Sequence, residues 1–358
     1  MDFGLSDDQK LLQDTVRTFV AKECPIARVR EVVDGDSGHA PEVWQGMAEL
    51  GLAGLVVPER FGGAGLGVLD AALVGEVLGE AATPGPFLGH TLAGLAIALG
   101  GDAAARERFL PGLASGERVG SVAFAEDAGV WGPDGWTAPV ADGRISGAKP
   151  YVPAGRLADV LVVGTAGGGL AVVESAAGGV TVEAQGGVDP TRRLDRVELA
   201  AAPCVPLASR DAAARTIAAG LALLGADAFG GASRLVELSA DYARTRQQFD
   251  QPIAQFQAIK HQLANMTVEV ESARGLFWYA AYAVDEEPGE YERAAALAKA
   301  HLTDRFMDVA RNAVEVHGGI GFTWECDVQI WFKRAMFDRA FLGTPALHRE
   351  RCAVLAGW

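Results

Sequence analysis

The chain has 358 residues, of which 49% are hydrophobic and 22% are charged, so it can bury a large core and is not a disordered chain. Its net charge of -15 disfavours nucleic acid as a partner, although a local basic pocket for a phosphorylated cofactor remains compatible with this charge. Four widely separated cysteines, without a CxxC pair or a His/Cys cluster, indicate neither a disulfide framework nor a metal site.

Residues 1–118 are predicted to form an N-terminal helical domain. Ser6 and Gln9 have the spacing of a capping box, and an apolar stripe of helical period follows them. Pro41 suits the first position of a further helix. A glycine run at residues 62–65 interrupts the helical pattern before a third predicted helix near residues 69–78.

Residues 119–205 are predicted to form a middle β domain. Three short runs rich in β-branched residues, at 160–163, 170–173 and 180–182, alternate with turn residues and indicate strands. The three glycines at 167–169 fit a hairpin turn between the first two. We expect a small antiparallel barrel or sandwich.

Residues 206–358 are predicted to be helical again, and the turn at residues 285–289 separates two long helices. The order of helices, strands and long helices predicts an α+β protein. Its expected parts are the N-terminal helical domain, the middle β-barrel or sandwich domain and a C-terminal four-helix bundle.

Membrane insertion and secretion are not expected. The uncharged apolar run at residues 216–226 is shorter than the roughly 18 residues that a membrane span needs. The residues Met1-Asp2-Phe3 lack the basic region of a secretory signal, so a cytoplasmic location is expected.

Common catalytic and nucleotide motifs are missing from the sequence. The run GAGLG at residues 63–67 does not complete a GxGxxG fingerprint and follows a predicted helix instead of a strand. None of the six histidines lies beside a GxSxG nucleophile elbow, and HExxH is absent. The sequence therefore favours neither a Rossmann enzyme nor a triad hydrolase.

Two C-terminal segments carry the most information, RTRQQFDQPI at residues 244–253 and EVHGGIGFT at residues 315–323. Together with ELGL at 49–52, VPERFGG at 57–63 and FLP at 109–111, they resemble the acyl-CoA dehydrogenase family. The resemblance covers nearly the whole chain, and the motifs occur in the family's order.

The resemblance implies a flavoenzyme that binds FAD non-covalently and assembles as a dimer of dimers. In this family a glutamate takes the α-proton of an acyl-CoA thioester, and the β-hydrogen leaves as hydride to the flavin. An electron-transfer flavoprotein then reoxidises the flavin. The expected partners are thus an acyl-CoA thioester, the electron-transfer flavoprotein and other subunits of a tetramer.

The same resemblance implies a set of cofactor-binding residues. The planar guanidinium of Arg246 suits a pyrophosphate, and glycines let the backbone approach a ligand closely. In the family, the arginine that matches Arg246 reaches the FAD of the neighbouring subunit. The cofactor-binding residues expected here are Arg246, Phe249, Gln257, Glu315, Gly318, Gly319, Gly321 and Thr344. Two alternatives stay open: Arg246 is a solvated cation at a helix end, and the glycines form a turn that needs positive φ.

The sequence departs from the family at the catalytic base. Most members carry the glutamate in a Tyr-Glu-Gly-Thr-like motif, and the matching run here is FLGT at residues 341–344, with Leu342 in its place. A second position that carries the base in some members falls near Gly220. Neither residue can accept a proton, so no catalytic residue is assigned.

The flavin-contacting loop also departs from the family. The usual Thr-Glu-Pro and Gly-Ser-Asp segments are replaced by FAEDAG at residues 124–129 and a short loop to Trp136. Glu315 replaces a usual glutamine and Asp250 a usual glycine, which adds negative charge near a pyrophosphate. The elements that serve a neighbour's flavin therefore persist better than those that serve the chain's own.

Three functions remain open from the sequence. The first is a base-lacking subunit that pairs with a paralogous catalytic acyl-CoA dehydrogenase subunit in a heterotetramer, as in actinobacterial steroid-degrading members. The segment DPTRRL at residues 189–194 looks like one common in that branch. The second is a self-sufficient flavoenzyme that uses Glu126, Asp127 or another carboxylate, or base-free chemistry. The third is a non-catalytic acyl-CoA-binding protein.

Overall fold

The structure is a computed structural model that describes residues 4–35, 38–127 and 129–358. The residues Met1-Asp2-Phe3, used above for the secretion argument, and Ala128 of the departing loop lie outside the described residues.

The N-terminal part is helical, as predicted, and its first helix begins with the predicted capping box: Ser6 and Gln9 bond reciprocally at the start of α1. Pro41 is the first residue of α3. Helices α4 and α5 are apolar on nearly every face because both are enclosed in the core. The helices are α1 (Asp7–Glu23), α2 (Ile26–Asp34), α3 (Pro41–Glu49), α4 (Val68–Glu80), α5 (Phe87–Gly100) and α6 (Ala103–Ala114).

The middle part contains two four-stranded sheets. The strands are β1 (Gly120–Ala123), β2 (Val140–Ala141), β3 (Arg144–Pro153), β4 (Val160–Thr165), β5 (Gly169–Glu174), β6 (Val180–Gln185), β7 (Leu194–Pro203) and β8 (Val205–Leu207). One sheet has the order β1-β4-β5-β8 and the other β2-β3-β7-β6. The three predicted strands and the glycine hairpin between β4 and β5 are confirmed.

The expectation of purely antiparallel pairing is wrong for one pair of strands. β1 pairs in parallel with β4, with Gly120 opposite Val160. The chain leaves the first sheet after β1, builds β2 and β3 of the second sheet, and returns in its original direction. Such a crossover joins strands about 40 positions apart, and hydrophobic period alone does not reveal it.

The C-terminal part is again helical, and α7 lies at its centre, packed against α4, α9 and α10. The elements are α7 (Arg210–Thr245), the hairpin strands β9 (Gln247–Gln248) and β10 (Gln251–Pro252), α8 (Gln257–Glu271), α9 (Arg274–Glu286), α10 (Tyr291–His317), α11 (Val328–Ala340) and α12 (Pro345–Leu355). Among the described residues, α7 is the one helix long and apolar enough to cross a membrane, and 83% of its apolar window is buried inside the protein, which is also typical of a core helix.

The segment at residues 189–194 joins the three parts of the chain. The Asp189 carboxylate accepts hydrogen bonds from the backbone and hydroxyl of Thr191 and holds the turn. Arg192 pairs with Asp227 of α7 at 2.8 Å, and Arg193 donates to two carbonyls in the N-terminal part. The motif therefore has a structural role that the sequence did not reveal.

Candidate active site and cofactor-binding surface

The two positions predicted for a catalytic base lie together in the structure. Leu342 follows α11 with a φ of +58° and is 1% exposed. Gly220 lies on α7, and a Cβ added to it would be 2.5 Å from Cδ1 of Leu342. Both positions thus face one point of the interior, and hydrocarbon from Leu342 and Leu92 surrounds it.

A cleft of about 560 Å³ opens beside Leu342, which is within the size range of small-molecule sites. An apolar face of α7, the loop at residues 130–135 and α12 line it. Its ionisable lining groups are Asp134, Glu292, His348 and Arg351. Glu292 and Arg351 form an ion pair with each other.

His348 is neutral at physiological pH and holds the backbone beside the base position. Burial, reinforced by the nearby Lys299 charge, lowers the pKa of His348 to about 4. Its Nε2–H donates to the carbonyl of Leu342 at 2.9 Å. This contact supports the left-handed conformation of Leu342 and provides no strong base at the cleft.

The carboxylates of the departing loop are engaged elsewhere. Glu126 accepts hydrogen bonds from Lys149 at 2.5 Å and from the backbone and hydroxyl of Thr137. Burial alone would raise the pKa of Glu126, but these hydrogen bonds outweigh burial and lower it. Asp127 pairs with Arg196 at 2.6 Å, and neither carboxylate lines the cleft.

Trp131 is a site residue that sequence reasoning missed. Its ring packs edge-on against Phe341 at 5.0 Å and tilted against Tyr151 at 6.0 Å. The indole therefore fills the space between the end of α11 and strand β3, at one wall of the cleft. A tryptophan in a loop of glycines and a proline was the available sequence signal.

The segment around Arg246 forms an exposed hairpin. Strands β9 and β10 are joined by Phe249 and Asp250, whose φ values of +54° and +62° fit a two-residue hairpin turn. Phe249 is 86% exposed. Arg246 lies on extended backbone at the end of α7 and forms no ion pair with a carboxylate of the described chain. An open cation beside an exposed aromatic ring suits an anionic, planar ligand.

The glycine turn after α10 lies beside this hairpin, because His317 stacks on Tyr242 of α7 at 4.3 Å. Gly318 has a φ of +63°, and space is open around its Cα and that of Gly319. Gly321 is packed instead: a Cβ there would lie 2.4 Å from a backbone oxygen. The turn needs glycine for both conformation and packing, and it leaves exposed backbone for a ligand.

The remaining predicted residues are divided between two places. Glu315 is exposed near the hairpin and accepts a hydrogen bond from Gln262 of α8 at 3.2 Å. Gln257 is the exposed first residue of α8. Thr344 instead caps α12 near Leu342. Gly220 and Arg246 are 26 positions apart on α7, about 39 Å at the helical rise.

Comparisons with known proteins agree with this architecture. The family models described as acyl-CoA dehydrogenase N-terminal domain and C-terminal domain match residues 6–117 and 210–354. The chain belongs to the acyl-CoA dehydrogenase family of oxidoreductases, and FAD is the cofactor of this flavoprotein family.

Three similar proteins illustrate the relationship. Acyl-CoA dehydrogenase IpdE2 of Mycolicibacterium smegmatis is 34% identical, over 95% of this chain and 96% of its own. The solved structure of a Tcur3481-Tcur3483 steroid ACAD variant has a TM-score of 0.90 and 30% identity, covering 98% of each chain. The ChsE4-ChsE5 complex from Mycobacterium tuberculosis has a TM-score of 0.90 and 28% identity, covering 100% of this chain and 99% of that one.

Proposed function

We propose that this chain is the base-lacking subunit of a heteromeric acyl-CoA dehydrogenase and completes the FAD site of a partner chain that carries the catalytic glutamate. The observation that carries the proposal is the leucine at position 342. It is buried against Gly220, so hydrocarbon fills the point where either family position would present a carboxylate.

Removal of a thioester α-proton needs a positioned base, and a carboxylate is the group this family uses. Asp134 and Glu292 are the carboxylates in the cleft lining, and the second is paired with Arg351. Leu342 and the aliphatic face of α7 themselves contribute no proton acceptor to the cleft. The chain therefore supplies shape and contacts to the assembly instead of the proton-transfer step.

The residues at the far end of α7 fit the adenine-diphosphate half of FAD. The Arg246 guanidinium offers paired N–H groups to a pyrophosphate, Phe249 offers an apolar face, and Gly318 and Gly319 expose backbone. FAD, when bound, supplies the hydride acceptor of the reaction. Gln257, Glu315 and Gly321 belong to the same surface, whereas Thr344 lies at the Leu342 end.

The length of α7 supports the participation of a second chain in FAD binding. The hairpin and the Leu342 cleft lie too far apart for one FAD molecule to contact both. Phe249, Ile320 and Phe322 are exposed near the hairpin, as expected for a surface that another subunit covers. We place the contacts of Arg246 in the partner's FAD site, within a tetramer.

The proposal extends to the substrate and the electron acceptor of the assembly. Similarity to the steroid ACAD structure and the segment at residues 189–194 support a steroid-derived acyl-CoA thioester as the substrate of the assembly. Electron-transfer flavoprotein is the proposed acceptor, and the cytoplasm the proposed location. The open cleft beside Leu342 favours one alternative function, non-catalytic binding of an acyl-CoA.

The test is flavin counting after co-expression with candidate catalytic paralogues. Expressed alone, the chain should show negligible acyl-CoA dehydrogenation and low flavin content. Assembled with its partner, it should retain flavin, and Arg246→Ala should lower flavin affinity about tenfold or more by removing a charge-assisted contact. Arg244→Ala is the matched control, because Arg244 is exposed and pairs with Asp241 instead.

One result would contradict the proposal. Full flavin occupancy together with rapid dehydrogenation by the partner-free chain would identify a self-sufficient flavoenzyme with a base elsewhere.

A further inference from the structure

A second cavity, of about 200 Å³, lies where the N-terminal helices meet the middle domain. The start of α5, the end of β3 and the segment at residues 191–195 form its walls. It shares no lining residue with the cleft beside Leu342. Helix α5 links the two: Leu88 lines the cavity, and Leu92, one turn later, packs beside Gly220.

Three arginines line this cavity although the protein as a whole is acidic. They are Arg156, Arg192 and Arg193, and Asp195 is the one carboxylate among the lining residues that the structure describes. Arg156 pairs with Asp195 at 2.7 Å, and Arg192 pairs with Asp227 at 2.8 Å. The lining therefore has an excess of positive charge.

Two of the arginines have unused bonding capacity. Arg192 is 7% exposed, and its Nε has no hydrogen-bond partner among the described residues. Arg193 donates to the carbonyls of Val33 and Gly35, but none of the ion pairs within the described chain includes it, and its buried Nε is also unpartnered. Arg193 is half-buried, so a buried cation with a free donor and a half-buried cation lie side by side, and both favour an anion beside them.

The backbone adds to this electrostatic preference. Helix α5 begins at the cavity, with Gly85, Pro86 and Gly89 in the wall. Its N-cap is Pro86, and no side chain caps its first turn. Uncapped N–H groups and the helix dipole both favour negative charge at this position.

We propose that this cavity binds a small oxyanionic group, a carboxylate or a phosphate. Arg193 and Arg156 provide the charged contacts, Arg192 provides the buried positive charge, and the N-terminus of α5 completes the cradle. The cavity accommodates the anionic group itself and not a nucleotide. The inference does not depend on the subunit role proposed above.

The test uses isothermal titration of the full chain with inorganic phosphate and, separately, with succinate, at constant ionic strength set with chloride. At least one probe should bind with about one equivalent per chain. Arg193→Gln and Arg156→Gln should each weaken binding about tenfold. Arg156→Gln should weaken binding further, because it leaves the Asp195 carboxylate unpaired in the cavity wall, where it repels an anion.

Two further variants control for charge and folding. Arg193→Lys keeps the positive charge and should retain more binding than Arg193→Gln. Arg196→Gln changes an arginine of β7 that pairs with Asp127 and Glu198 outside the cavity, and it should bind as the wild type does. If only one of the two probes binds, it identifies the bound group as a phosphate or as a carboxylate. Absence of binding by both probes, or unchanged binding in both glutamine variants, overturns the proposal.

Discussion

At the scale of single residues, Leu342 combines two unusual properties. It is a buried leucine in the left-handed region, where a non-glycine residue is strained, and the hydrogen bond from His348 to its carbonyl helps to hold it there. The backbone at the predicted base position is thus held in a defined conformation, although the side chain there is no carboxylate.

We predict that Leu342→Glu will not by itself restore dehydrogenation to the chain expressed alone. The new carboxylate would point at Gly220 and Leu92, but Trp131 fills the neighbouring wall and Glu126 stays paired with Lys149. Dye reduction with acyl-CoA substrates measures this, with Leu342→Gln as an uncharged control of the same size. Turnover by the glutamate variant but not by the glutamine variant would mean that the chain's own flavin site is intact.

His90 is a buried histidine that acts as a structural bridge. Its Nδ1 accepts from the Gly120 N–H at 3.1 Å, and its Nε2 lies 3.0 Å from the Ala53 carbonyl and 3.1 Å from that of Leu113. Burial lowers the pKa of His90 to about 4, despite the opposing effect of these carbonyls. The neutral imidazole therefore joins β1 to the N-terminal helices.

Protonation of His90 should couple stability to pH. In the unfolded chain, His90 takes up a proton near its ordinary pKa of about 6.5, whereas in the folded chain it stays neutral at that pH. The free energy of unfolding therefore falls as pH falls through that value. As pH falls from about 7.5 to about 5, His90 should lower the free energy of unfolding by about 2 kcal/mol. Urea unfolding should show a correspondingly smaller pH slope in His90→Gln than in the wild type or in the exposed-site control His261→Gln. Equal slopes in all three proteins would exclude this role.

At the scale of elements, the β9–β10 hairpin shows how local sequence maintains the proposed cofactor surface. Both turn residues have positive φ, which glycine, asparagine and aspartate tolerate best. Asp250 keeps the turn that the family's usual glycine forms, and adds a negative charge near Arg246.

Two substitutions separate the charge of Asp250 from its conformation. Asp250→Asn removes the charge and keeps tolerance for the turn, so it should raise flavin retention of the assembly at low salt. Asp250→Ala also removes the charge but strains the left-handed backbone by about 1 kcal/mol. Flavin retention should therefore rise less than in Asp250→Asn, or fall. Flavin release measured at low and high salt distinguishes them. Identical behaviour of the two variants would show that the turn does not position the cofactor surface.

The elements most readily predicted from sequence are those with local signals. The capping box of α1, Pro41 at the start of α3 and the β4–β5 hairpin depend on residues within a few positions. The parallel pairing of β1 and β4 and the packing of Trp131 against Tyr151 and Phe341 depend on distant segments, so no single-sequence period contains them.

At the scale of the whole molecule, one buried charge network joins the middle domain to the C-terminal helices. The Asp227 carboxylate of α7 bonds Arg192 at 2.8 Å and Arg334 of α11 at 2.6 and 2.7 Å. Arg334 is fully buried, and burial alone would raise the pKa of Asp227, but the two arginines lower it instead. Asp227 is therefore a carboxylate on which two buried cations depend.

Asp227→Asn should be among the most destabilising single changes. It leaves Arg192 and Arg334 buried without their shared counter-charge, which costs about 3–5 kcal/mol. Denaturant unfolding measures the loss, and separate transitions for the middle domain and the bundle are expected. Asp241→Asn, on the same helix but exposed and paired with Arg244, is the control and should change stability by less than about 1 kcal/mol. A two-state transition of wild-type stability in Asp227→Asn would refute the role of this network.

The candidate site also combines features that the sequence predicts with features that only tertiary contacts create. Motif order indicated the family, and the sequence also contained the leucine that the resemblance places at the glutamate position, Leu342. The contact between Leu342 and Gly220 and the pairing of Glu126 with Lys149 each join residues that are distant in sequence, and the arginine cavity joins residues from two domains. Only tertiary packing brings such groups together, so sequence spacing could not predict them.

The length of α7 has a genetic consequence. In the proposed assembly, the base position near Gly220 and the hairpin that follows the 36-residue helix α7 would serve different catalytic centres, so mutations at these two places would affect different centres. After gene duplication, one copy could lose its glutamate and still be retained by selection on Arg246 and its surroundings. Under this proposal, the geometry of the helix allows a division of labour between paralogues, and loss of an activity becomes a route to obligatory partnership.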